Sequence, residues 1–153
     1  MIEFIIAALL FFAIIFYTLN YLNTTVWTFD QDHYANFLES RSTQISEILL
    51  TSPGVWESGI PKSVGLAGKW PELNTTKISW LNDSCHSDYR NLMSLLDIDP
   101  DLHSADIDII EEGNPSGLVQ CERSHPDGVQ SATTNRVALS DSGNMLRIEV
   151  TFW

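Results

Sequence analysis

The residues able to do chemistry in this chain are few, and their spacing narrows what they could do. Asp97, Asp99, Asp101 and Asp108 stand at offsets 1, 3, 5 and 12 of one segment, the order in which an EF-hand loop presents hard oxygen ligands to Ca²⁺. Leu102 fills the sixth position, where that loop turns on a glycine, and Asp108 replaces the bidentate glutamate at its end. Asp106 and Asp108 also alternate with apolar neighbours, as the wet face of a strand does. Two readings stay open: a weak Ca²⁺ loop and a solvated acidic loop. His33, His86, His103 and His125 share no metal-ligand spacing. The adjacency of Cys85 and His86 along the chain does not aim a thiol at a base. No phosphate-binding loop, nucleophile elbow or H-E-x-x-H helix occurs. The chain is therefore read as a non-enzyme with no expected cofactor.

Three further features carry covalent or electrostatic chemistry. Cys85 and Cys121 belong to no C-x-x-C pair, so an exported head would join them in a disulfide, the alternative being two buried thiols. Asn23-Thr-Thr, Asn74-Thr-Thr and Asn82-Asp-Ser are N-glycosylation sequons. Asn23 adjoins an apolar segment, whereas Asn74 and Asn82 fall in a region expected at the surface, and Asn74 also suits a helix N-cap. Glu3 is the one charge in a greasy terminus, where the positive end of a helix dipole favours it. It is read either as water-facing at a membrane edge or as paired with a cation, such as an α-amine, of a neighbouring chain.

The elements that must position these residues follow from how the composition is divided. The chain has 153 residues, and the first 22 hold 19 apolar side chains against a single charge. All 8 basic and 19 of the 20 acidic residues lie beyond them, so the remainder carries about −11. A nucleic-acid binder needs a basic face to displace phosphate counterions, so that class is excluded. Phe4 to Leu22 would span about 28 Å as a helix, close to one hydrocarbon thickness, with Tyr17, Tyr21 and Trp27 at the interfacial end. The first Lys or Arg is Arg41 and no small-residue cleavage site follows the apolar run, so a spanning helix is expected rather than a cleaved signal.

No Gly or Pro occurs before Pro53-Gly54. Tyr34, Phe37, Leu38, Ile45, Ile48 and Leu49 form a helical stripe interrupted by Arg41, with Asp32, Asn36, Glu39, Ser40, Thr43 and Ser46 opposite. Thr28-Phe-Asp-Gln31 matches a capping box, which would allow a restart near residues 23–28. The reading is a helix over 1–50, with 1–22 as membrane or filament core and 23–50 as amphipathic stem, and a head over 51–153. The head opens on a loop-rich stretch through Trp56, Trp70 and Pro71, then a short helix capped by Asn74 and a second over Asp88–Leu96. Strands follow at Ala105–Ile109, Gly117–Cys121, Arg136–Leu139 and Leu146–Phe152, with turns at Asn114-Pro115, Pro126-Asp127-Gly128 and Asp141–Asn144. The fold class is α+β: a long N-terminal helix packed against a small antiparallel meander with short helices.

Ile45-Ser-Glu-Ile-Leu-Leu-Thr-Ser-Pro-Gly54, then Trp56, Val64-Gly-Leu-Ala67, Leu73-Asn-Thr-Thr-Lys-Ile78, Tyr89 to Leu92, and the aromatic ending Val150-Thr-Phe-Trp153, resemble archaeal type IV pilin-like proteins with class III signal peptides. The acid at Glu3 stands two positions earlier than is usual in that family, and no basic leader precedes it. The resemblance implies a major or minor subunit of an extracellular filament, embedded in the cytoplasmic membrane before assembly and used in adhesion. Its partners would be copies of itself, a prepilin peptidase and an assembly platform. Glu3, Phe4, Ile5, Leu9, Phe12 and Phe16 would be assembly residues. A single-pass anchored ectodomain acting as a binding module, and a pseudopilin of a secretion machine, are the alternatives.

Overall fold

The computed structural model describes residues 2–57, 59–126 and 128–153, and excludes the side chains of 24–30 and 114–116. The chain is α+β. Helix α1 (Ile2–Thr51) precedes strands β1 (Val55–Glu57), β2 (Ile60–Ser63) and β3 (Glu72–Leu73). Helices α2 (Thr75–Ser87) and α3 (Tyr89–Leu95) follow, then β4 (Ala105–Glu111), β5 (Asn114–Cys121), β6 (Ala132–Ser140) and β7 (Met145–Phe152). Two compact units result, Met1–Asn36 and Phe37–Trp153.

In the first unit α1 passes through residues 23–28 without the expected restart. With no Gly or Pro there, no helical hydrogen bond has to be given up. The side chains of Trp27 and of Thr28–Asp30, on which the capping box and part of the aromatic belt rest, lie outside the described residues. Tyr34, expected in the stripe, is exposed.

The second unit begins with the last turns of α1, which bury Leu38, Ser42, Ile45, Ser46, Leu49 and Leu50. Two serines thus replace Tyr34 and Phe37 in the expected stripe, and Ser46 moves from the polar face to the core. Their hydroxyls are satisfied locally. Ser46 donates to the Thr43 carbonyl at 2.7 Å, and Ser42 donates to the Glu39 carbonyl at 3.0 Å while lying 2.7 Å from the Thr134 hydroxyl of β6. Small, internally bonded side chains let the helix approach the sheet without an unsatisfied polar group. Phe37 sits at the margin, edge-on to Phe152 at 6.2 Å.

Helix α1 ends where Pro53-Gly54 requires, with Gly54 at φ +64. Its orphan carbonyls are taken by a later segment: the Leu66 amide donates to Leu49 at 2.9 Å, and the Ala67 amide to Ser52 at 3.1 Å. The approach has no room for a side chain at Gly65, whose Cβ would stand 2.2 Å from the Ser52 carbonyl oxygen. The Val64–Ala67 and Pro53-Gly54 motifs therefore form one device that closes the helix.

The sheet corrects the expected meander. Its order is β3-β6-β7-β4-β5, all antiparallel except for the short parallel pairing of β3 with β6. Strand β7, with Leu146, Ile148, Val150 and Phe152 buried, takes the centre between β4 and β6. Strand β5, whose sequence includes Pro115 and a Gly117 at φ +67, takes an edge, where a missing amide costs least. The first hairpin turns at Glu112-Gly113, with Gly113 at φ +90, so Asn114 and Pro115 belong to β5 rather than to the turn. Gly143, at φ +85, serves the β6–β7 turn as expected, while Asp127 of the third expected turn lies outside the described residues. Strands β1 and β2 pair where the sequence reads as loop, since three- and four-residue strands carry little alternation.

Both short helices form as expected. The Asn74 side chain accepts from the Lys77 amide at 3.2 Å as the cap of α2. Leu92 and Met93 of α3 are buried, and the Tyr89 hydroxyl both donates to and accepts from the Ala105 backbone at 3.0 Å, docking α3 on β4. Gly65→Ala should lower the stability of the full chain in detergent by about 1–3 kcal/mol, from overpacking against Ser52. Urea titration would show this as a lower midpoint at unchanged slope.

Candidate functional site

The feature that demands a functional explanation is the surface of α1 in the first unit. Ile2–Asn23 is long and apolar enough to cross a membrane. Phe4, Ile5, Leu9, Phe12 and Phe16 are all exposed, and Glu3 stands in the first helical turn. Burying each such side chain is worth about 1.5–3 kcal/mol, so a surface of this kind is stable only when covered. Its polar groups are prepared for an apolar environment. The Thr18 hydroxyl lies 3.0 and 2.9 Å from the carbonyls of Ile14 and Ile15, and the Asn20 amide donates to Phe16 at 3.1 Å. Such internal bonding meets the requirement that polar groups in lipid be satisfied within the segment.

In the second unit Cys85 of α2 and Cys121 of β5 form a disulfide, with Cα atoms 5.3 Å apart and the two residues 36 positions apart in sequence. It ties a helix to the edge strand of the sheet. A bond of this kind belongs to an oxidising compartment, and together with the apolar helix it is consistent with an anchored, extracellular protein.

The candidate Ca²⁺ loop, one of the two readings of the acidic segment, shows no assembled ligand set among the described residues. Among the described residues no group of three or more His, Cys, Asp or Glu side chains could hold a metal ion. Each aspartate has a different task. Asp97, at φ +59, is the left-handed residue that ends α3, with the Ile98 amide donating to Met93 at 2.9 Å and the Asp97 amide to Ser94 at 3.2 Å. Asp99 accepts from the Asp101 amide at 3.0 Å, and Asp101 pairs with Arg90 at 2.7 Å. Asp108 lies on β4, directly opposite Glu149 of β7.

Asp106 and Asp108 share the sheet face opposite the core, since Ala105, Ile107 and Ile109 point inward. Burial pushes the Asp106 carboxyl up to about 6, with Asp108 and Glu122 adding repulsion, while the Arg123 amide, donating to it at 2.7 Å, and His125 oppose the rise. Burial also raises Asp108, with Glu122 and Glu149 adding to it and a Cys121 backbone hydrogen bond opposing.

The sequons fall in different settings. Asn74 caps α2, whereas Asn82 lies inside that helix and the Ser84 of its sequon is buried. The histidines are dispersed: His86 bonds the Asn82 carbonyl at 2.8 Å, His103 packs between Phe37 and Phe152, and His125 lies against Trp153. Sequence reasoning missed the partnership of Trp56 with Trp80, whose rings meet edge-to-face at 5.2 Å, and of Lys77, whose ammonium donates to the Pro53 and Ala67 carbonyls at 2.6 and 2.8 Å. No spacing signal links these residues, because the β1–β2 hairpin that brings Trp56 to α2 was not legible. No protein-family model, curated protein or solved structure matches the chain.

Replacing Cys85 and Cys121 by alanine together should cost roughly 3–4 kcal/mol, from the loop they close, read by denaturant unfolding of the full chain in detergent. Asp106 gives a pH test. Because folding raises its pKa, its stabilising contribution is complete below the unfolded value near 3.8 and is lost as pH rises through about 6. Asp106→Asn keeps an acceptor for the Arg123 amide and removes the charge. It should raise the melting temperature at pH 7.5 and leave it nearly unchanged at pH 4, as differential scanning calorimetry can check.

Proposed function

We propose that the protein is a structural subunit of an archaeal type IV pilus-like filament, used at the cell surface in adhesion. The observation that carries this reading is an apolar helix, Ile2–Asn23, with its large side chains exposed, in a chain whose other unit is closed by its own core and a disulfide. In the membrane, lipid covers the helix. In a filament, copies of the helix cover one another, and close packing rather than a hydrophobic gain decides that exchange. Contacts that do not close on themselves propagate as a filament. Phe4, Ile5, Leu9, Phe12 and Phe16 supply the packing surface, and Glu3 fixes register by pairing with a cation of a neighbouring copy. The acidic head faces solvent and keeps filaments apart. A prepilin peptidase and an assembly platform act before this stage, and the role is structural rather than catalytic.

Material sheared from the cell surface should contain filaments by electron microscopy, with this chain identified in them by mass spectrometry. Deleting residues 1–22, or introducing Leu9→Glu with Phe12→Glu, should abolish them, because a carboxylate within the packed core costs several kcal/mol. Filaments that persist in these variants would overturn the reading. A chain found only in the membrane fraction would support an anchored binding ectodomain instead, and a few copies per filament a minor subunit.

A further inference from the structure

Strand β1 and helix α2 border an open cleft of about 450 Å³, lined by Trp56, Gly59, Asn74, Thr76, Lys77 and Trp80. Its volume falls within the range of small-ligand pockets. The two indoles stand at 86° to each other, and both side chains are only partly buried. The Trp56 indole nitrogen donates to the Pro53 carbonyl at 3.2 Å, and the Lys77 ammonium stands 5.8 Å from the Trp56 ring centre. Trp56 is thus held in place with its indole donor already used. What remains is two ring walls beside the polar side chains of Asn74 and Thr76. A ligand with an apolar face and a hydroxylated rim fits such a cleft, which is the chemistry of a saccharide ring.

The occupant is indicated by the cleft's own lining. Asn74 opens the sequon Asn74-Thr75-Thr76, and its backbone is extended, at φ −82 and ψ 118. Its side-chain oxygen is occupied by the Lys77 amide, whereas its Nδ2 donates no hydrogen bond among the described residues, and Thr76 is exposed. The competing Asn82 lies within α2, with its Ser84 buried. We infer that Asn74 carries an N-linked saccharide whose first rings stack on Trp56 and Trp80, and that Asn82 is unmodified. Attachment forms a bond from Nδ2 to the anomeric carbon of a lipid-phosphate-activated saccharide. The anomeric carbon–oxygen bond to phosphate breaks, the lipid phosphate departs with the bonding pair, and one amide proton passes to a base of the transferase. The inference rests on the proposed placement of the head outside the membrane.

The test uses full-length protein from cells of its source. Mass spectrometry of the peptides bearing Asn74 and Asn82 should find saccharide mass on the first alone. Thr76→Ala removes the sequon and spares the Asn74 cap. It should lower the melting temperature by about 3 °C or more, as expected for the loss of one aromatic stacking contact, and shift tryptophan emission to the red. In a Trp56→Ala background the same substitution should move the melting temperature by less than about 1 °C. Saccharide on Asn82 alone, or a modified Asn74 whose loss moves neither melting nor emission, overturns the inference. Unmodified Asn74 in protein recovered from the cell exterior overturns it and leaves the filament reading standing. Unmodified Asn74 in a chain whose head stays inside the cell overturns both.

Discussion

Between Ile2 and Leu22, α1 presents isoleucine, leucine and phenylalanine side chains around its whole circumference, exposed in the folded chain. Water cannot be the lasting neighbour of that surface, and this constraint shapes the rest of the protein. The polar side chains within the segment turn back onto its own carbonyls, as Thr18 and Asn20 do. The other unit must then be stable without help from the apolar segment, although it is small and its sheet has only one covered face.

It achieves this by drawing the end of the same helix into its core. Leu38, Ile45, Leu49 and Leu50 join the inner faces of β4 and β7 in one apolar cluster. The backbone of Leu66 and Ala67 takes the last carbonyls of α1, and Lys77 reaches the Pro53 and Ala67 carbonyls from α2. The disulfide then fastens α2 to the edge strand β5. The helix end is therefore held by hydrogen bonds from two later segments, and the cysteines constrain the unfolded chain.

Part of the sheet face opposite the core carries like charges. Asp108 opposes Glu149 across β4 and β7, and Asp106 lies on the same face. Like charges directly opposite weaken a strand pair, yet here they sit on a sheet whose other face carries the core. The cost in stability brings a patch that repels its own kind.

Much of this was legible in the residues. The absence of Gly and Pro before Pro53, the cap at Asn74, the apolar face of α3 and the alternation of β4 and β7 each rest on neighbours close in sequence. The misread positions are those where a distant partner decides. Ser46 looks like a solvent-facing residue until the core closes around it. Asp97 and Asp101, open in sequence between a ligand and a solvated loop, take their roles from the end of α3 and from Arg90. The strand order depends on which strand can bury both neighbours, and the meeting of Trp56 with Trp80 depends on a hairpin too short to show a period. By itself the sequence determined the elements and the division into an apolar arm and an acidic head, because propensity and hydrophobic period are local. Only the tertiary structure decided which small polar residues enter the core, how the strands are ordered and which side chains share a cleft, because those outcomes depend on shape and on hydrogen-bond partners far away along the chain.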